Sequence, residues 1–134
     1  MDKWREWAAL PIRLGLGVMF MAHGLQKVFG LFGGPGIENF AKFLGSLNID
    51  PPVPMAYMAG YGELLGGLCL ILGLFTRLSA GVLTVIMVVA AVSVHLKNGF
   101  FLKDGGIEYV FVIVAACVSL MVSGGGKLSI TKKL

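Results

Sequence analysis

Long apolar runs dominate the chain, and polar positions are confined to the stretches between them and to a few isolated sites within them. Four runs can be drawn, over 7–29, 55–74, 78–96 and 107–123. Each is close to the roughly 17 to 25 residues that a helix needs to cross about 30 Å of hydrocarbon. The third and fourth are rich in valine and isoleucine, which favour strands in water. Their length and their lack of period-2 alternation predict helices nonetheless. The connection between the first two runs opens on the breaker cluster Gly33-Gly34-Pro35-Gly36 and closes on Pro51-Pro52-Val53-Pro54, through which no helix is expected to continue. Between these, Ile37, Phe40, Ala41, Leu44 and Leu47 recur at helical spacing, with Glu38, Lys42, Ser46 and Asn48 falling elsewhere. That pattern predicts a short amphipathic helix over 37–47, lying in the interface or capping the bundle. A tight Phe75-Thr76-Arg77 turn joins the second and third runs. The fold class predicted is an all-α membrane protein, one up-down bundle of four transmembrane helices over 1–134 with both termini on the same side.

Composition agrees. Of 134 residues, 57% are hydrophobic and 13% charged, and the mean hydropathy is +0.86. A soluble domain is about a quarter charged because it must face water, so disorder, a coiled coil and a disulfide scaffold are excluded and lipid is the working solvent. The 20 glycines fall inside apolar segments, as where membrane helices approach closely. The net charge of +4 does not gather along one element, and nucleic acid is not an expected partner. Basic residues instead cluster at segment ends. Lys3, Arg5, Arg13, Arg77, Lys127, Lys132 and Lys133 fall on one side, against Lys27, Lys42, Lys97 and Lys103 on the other, which predicts a cell-membrane protein with cytoplasmic termini. Trp4 and Trp7 suit an aromatic belt at that face. The mixed charges Asp2, Lys3, Arg5 and Glu6, with Arg13 interrupting the apolar run, argue for a retained first span over a cleaved signal. Cys69 and Cys117 each stand alone in an apolar run, where small-residue packing is expected and their similar depth leaves a redox pair open.

Ionisable residues inside apolar spans are costly and usually face the bundle interior, so they are the candidates for chemistry. On the first helix Arg13, Gly17, Phe20, Gly24 and Lys27 share one face, flanked by His23. With the helices alternating in direction, His23, Lys27, Glu63, His95 and Glu108 all fall in the outer half of the bundle, and Tyr57, Tyr61 and Tyr109 start spans at the same end. Glu63 is the only acid well inside a span. Paired with Lys27 or His23 it would lock the bundle; unpaired, it would carry a proton. The histidines read either as helix ends bonded to backbone or as proton-exchange groups. No two of these groups have the i, i+3 or i, i+4 spacing of metal ligands, so no metal is expected. Arg13 and Arg77 read as anchors that snorkel to the headgroups.

These residues together resemble the DoxX family of small four-helix membrane proteins. The resemblance rests on Arg13, Gly24 and Lys27 in the first span, Glu63 with Gly66 and Gly67, then Leu72-Gly73-Leu74 with Thr76 and Arg77. It continues through His95, Asn98-Gly99-Phe100, Glu108-Tyr109 and the terminal run from Gly124 to Ile130. It implies quinone-linked redox chemistry in the cell inner membrane, of the kind found in membrane subunits of thiosulfate:quinone oxidoreductase.

Under that reading Glu63 is the proton carrier, and His23 and His95 are its hydrogen-bond or proton-exchange partners. Lys27 is an electrostatic donor, with Glu108, Tyr61, Tyr109 and Arg13 as further ligand-binding candidates. Quinone is the expected cofactor. The chain carries no haem pair, iron–sulfur ligand set or flavin motif, so electrons would come from a partner redox subunit or a soluble donor. Two other functions use the same residues differently. A small transporter or channel would line a pathway with them, a homo-oligomer supplying the missing half, and a membrane anchor or assembly protein would use them for packing alone.

Overall fold

A computed structural model of the chain describes residues 3–131. Lys132 and Lys133, counted above for orientation, lie outside the described residues. After a 3-10 turn at Lys3–Trp7 come α1 (Ala9–Phe29), a 3-10 turn at Leu31–Gly33, α2 (Gly36–Ser46), α3 (Pro52–Leu72) and α4 (Thr76–Ala90). The last of these runs on as a π-helical segment at Ala91–His95 and a 3-10 turn at Leu96–Asn98. A further 3-10 turn at Leu102–Asp104 leads into α5 (Glu108–Ser123). No strand occurs among the described residues.

Among the described residues three helical stretches are long and apolar enough to cross a membrane: Lys3–Phe29, Pro52–Leu72 and Thr76–Asn98. The apolar helix α5 is shorter, at 16 residues. Valines and leucines cover the outside of all four helices: Val18, Leu65, Val85 and Val122 are more than half exposed. In water such a surface would drive aggregation, whereas against acyl chains it costs nothing.

Two boundaries differ from the sequence expectation. The helix expected to begin at Met55 begins at Pro52, because a proline in the first turn lacks only an N–H that has no intrahelical acceptor anyway. The break between α3 and α4 falls at Gly73 to Phe75, two residues earlier than expected, and Thr76 is already helical. Gly73 caps α3 at φ 69°, and a Cβ there would stand 2.6 Å from both Arg13 Nη2 and Ser129 Cα. Only glycine satisfies both demands.

The core lies between α1, α3, α4 and α5, with Phe20, Leu70, Leu83, Leu120 and Cys117 almost wholly enclosed. Small residues set how closely α1 meets α3. A Cβ on Gly17 would stand 2.8 Å from the carbonyl oxygen of Gly67, and one on Gly67 would stand 2.7 Å from that of Gly17. A separate cluster holds α2 on α3, where Phe40, Ala41 and Leu44 bury against Ala56. The amphipathic pattern is thus spent on packing against the bundle, which makes α2 a cap.

Candidate functional site

The close approach of α1 and α3 brings Lys27 against Glu63. Gly24, one turn before Lys27, is why: a Cβ there would come within 2.6 Å of the Leu64 backbone nitrogen. The Lys27 ammonium donates to Glu63 Oε1 at 2.5 Å, and the carboxylate is 3% exposed against 26% for the lysine side chain. Glu63 Oε2 is also buried and accepts no hydrogen bond from the protein. An unpartnered carboxylate oxygen is costly in a packed interior and marks a place where a donor is missing. Lys27 Nζ also lies 5.2 Å from the centre of the Phe40 ring, a cation–π contact through which α2 closes over the pair.

Two cavities flank this ion pair. One, of about 220 Å³, is lined by His23, Lys27, Glu63, His95 and Tyr109 among apolar walls from Phe20, Met87 and Ile113. The other, of about 190 Å³, is lined by Lys27, Glu63, Ser93 and His95 and roofed by Phe40, Phe43 and Leu44 of α2. Four helices thus contribute to one polar spot in an apolar surround, the usual build of a small-molecule site.

His95 lines both cavities from the end of the π-helical segment, a widened turn frequent at functional positions. Its Nδ1 lies 2.9 Å from the carbonyl oxygen of Gly105. A carbonyl only accepts, so Nδ1 carries the proton, and in the neutral ring Nε2 remains an acceptor. His23 is exposed at the rim of the larger cavity, and the Tyr109 hydroxyl contacts the thioether of Met19 in that wall.

The remaining candidates lie elsewhere. Glu108 accepts from the backbone N–H of Leu102 at 2.8 Å and closes the loop before α5, lining neither cavity. Tyr61 stacks on Tyr57, ring centres 6.1 Å apart, on an outer face of α3. Cys69 and Cys117 are both free thiols, the latter enclosed in the core.

Arg13 overturns its expectation most plainly. It does not snorkel: it is wholly buried and donates to five carbonyls, those of Leu70, Ile71, Gly125, Lys127 and Leu128, at 2.9 to 3.2 Å. The end of α3 and the segment after α5 offer carbonyls with no helical partner, and a planar fork of five donors satisfies them together. Arg13 belongs to this second polar centre, at the opposite end of α1 from Lys27. Sequence reasoning missed the centre because its acceptors are backbone groups; the glycine run Gly124-Gly125-Gly126 was the available signal. A Cβ on Gly125 would collide with Ser129 Oγ, and Gly126 takes φ 67°.

The sequence profile of the DoxX family matches residues 8–96. The chain is 29% identical over 130 residues to a Bacillus subtilis (strain 168) protein named "Putative oxidoreductase CatD", covering 97% of this chain and 89% of that one. A Haemophilus influenzae protein of uncharacterised function is 31% identical over 121 residues, covering 90% of this chain and 79% of its own. No solved structure matches.

Proposed function

The chain belongs to the DoxX family, and on that footing we propose that it is an integral membrane subunit of a quinone-linked oxidoreductase system, with a quinone ring held beside the Lys27–Glu63 pair. The observation that carries this reading is the buried, half-satisfied Glu63 carboxylate between two cavities that also share His95. The residues fit such a group: apolar walls for the ring, donors for its carbonyl oxygens, and a carboxylate and an imidazole that exchange protons. When bound, the quinone supplies two-electron redox chemistry coupled to proton uptake or release.

The chain's own part follows from its geometry. Lys27 spends one donor on Glu63 and keeps others to orient a carbonyl oxygen. Glu63 Oε2 is an acceptor already stripped of water, so a proton reaching it is held near the ring. His95, anchored through Nδ1, relays protons through Nε2, and His23 at the rim connects the cavity to the aqueous side. The relative named as an oxidoreductase supports the class of reaction.

We further propose that α1, α3, α4 with its extension, and α5 cross the cell inner membrane alternately as four spans. At 16 residues α5 is about 24 Å long, which local thinning of the bilayer accommodates. The excess of basic residues near Trp4, Arg77 and Lys127 supports a cytoplasmic position for both termini.

Lipid extraction of gently purified protein, with quinones measured by mass spectrometry, tests the function. Stoichiometric quinone in the wild type, lost in a folded Glu63→Gln variant, is expected. No quinone at that level overturns the reading. Uptake of solutes by proteoliposomes without a redox partner would make the chain a transporter, and Glu63→Gln losing folded yield and assembly together would make it an anchor.

A further inference from the structure

A groove of about 340 Å³ opens on the outside of the bundle between α3 and α4. Its own walls are Met55 and Met58 on one helix and Val82 and Val85 on the other, without a charged group. Met58 and Val85 are 68% and 64% exposed, so the groove is open where acyl chains would lie. Only a shared layer of side chains separates it from the inner cavity. Leu44, Ile49, Ala59, Ile86 and Val89 line both this groove and the inner cavity that Lys27, Glu63 and His95 share. The two helices pinch together at Gly62, where a Cβ would stand 2.7 Å from Ile86 Cδ1, and a separate groove of about 280 Å³ lined by Leu65, Cys69 and Leu78 lies beyond that point on the same seam. A sideways passage from the lipid face to the ion pair therefore has only this shared layer to cross.

We propose that this passage is a lateral portal and tail site: the isoprenoid tail of a quinone lies in the α3–α4 groove while its ring reaches the Lys27–Glu63 pair. The proposal rests on the quinone reading above and adds the route and the lipophilic half of the ligand. Two features select a quinone over a phospholipid. Lys27 and Glu63 cancel each other's charge, so the inner end offers hydrogen bonds to a neutral carbonyl and no free cation for a phosphate. Glu63 also stands eleven residues into α3, about 16 Å along the helix. That depth suits a head that is itself apolar and not one that must stay hydrated at the surface.

The test uses the full-length protein in nanodiscs and a benzoquinone whose decyl tail ends in a photoactivatable diazirine, with labelled peptides located by mass spectrometry. Labelling on Met55, Met58, Val82 or Val85 that excess untagged decyl-benzoquinone displaces is the expected result. Val85→Trp, a change on an exposed wall outside the polar cavities, is expected to cut that labelling by about tenfold by filling the groove. A benzoquinone without a tail still competes in that variant. Displaceable labelling confined to α1 or α5 overturns the portal and leaves the ring site standing. Labelling that nothing displaces in the wild type, or that Glu63→Gln leaves unchanged, overturns the ring site and the portal with it.

Discussion

Glu63 gives Lys27 one carboxylate oxygen, Oε1 at 2.5 Å from Nζ, and leaves the other buried without a donor. The pair is therefore half a lock and half a site, and the two halves separate by mutation. Removing one partner of a buried pair strands the other charge, at a cost of about 3 to 5 kcal/mol, whereas replacing both with apolar groups of similar volume is often neutral. Lys27→Met alone is expected to lower the thermal midpoint in detergent sharply. The double change Lys27→Met with Glu63→Leu restores the midpoint without restoring quinone binding. A double variant as unstable as the single one would mean that the pair is needed for folding itself.

The approach of α1 to α3 that creates the pair depends on Gly24, where a Cβ would sit 2.7 Å from both Cα and Cβ of Leu64. Gly24→Ala must push the helices apart, and overpacking of this kind costs about 1 to 3 kcal/mol. Gly15, on the same helix, has nothing within 4 Å of its would-be Cβ. Gly15→Ala should leave stability unchanged or raise it, since alanine is the better helix former by about 1 kcal/mol. Thermal unfolding of the two variants, side by side in one detergent, checks the contrast. The Gly24 variant should also bind quinone more weakly, because Lys27 lies one turn further along.

How much of this was written in the chain differs from one residue to the next. The apolar runs fixed the lengths of the long helices, and the i, i+4 register of Arg13, Gly17 and Gly24 with Phe20 marked the buried face of α1, because side-chain periodicity is a local property. Grouping ionisable residues by depth brought Lys27, Glu63 and the two histidines together correctly. It failed for Glu108 and Tyr61, since depth along a helix says nothing of azimuth when neighbouring faces are all apolar. The burial of Arg13 had no signal but the glycine run Gly124-Gly125-Gly126: its partners are backbone carbonyls, two at the end of α3 and three in a segment more than a hundred positions away. The π-helical widening before His95 is equally silent in sequence, because it depends on how one turn is held against its neighbours.

His95 is fixed through Nδ1 to Gly105, which also accepts from Asn98 Nδ2 at 3.3 Å. Loop anchoring thus falls on Nδ1, and the proposed proton exchange on Nε2. His95→Gln keeps an N–H for the carbonyl and removes the basic nitrogen. Amide exchange over 99–106 should stay close to the wild type while quinone-dependent turnover falls by about a hundredfold, the usual worth of a positioned acid–base group. Unchanged turnover with a loosened loop would reduce His95 to a helix-end anchor.

The opposite end of α1 makes a prediction that separates stability from chemistry. Arg13 Nη1 donates to the carbonyls of Gly125 and Lys127 at 3.0 and 2.9 Å, while Ile130 and Thr131 bond back to Leu72 and Gly73 beside it. The segment after α5 is thereby strapped to the end of α3. Arg13→Lys keeps the charge but offers three donors from a single atom, so at least two of the five carbonyls lose their partner. With charged hydrogen bonds worth about 1.5 to 3 kcal/mol each, a loss of about 3 kcal/mol or more is expected. It should appear locally first, as faster amide exchange and easier proteolysis over 124–131. Quinone binding, set by residues near the far end of the same helix, should persist at temperatures where the variant remains folded. If binding were lost before the terminal segment loosened, the two polar centres would be coupled through α1 and could not be treated as separate.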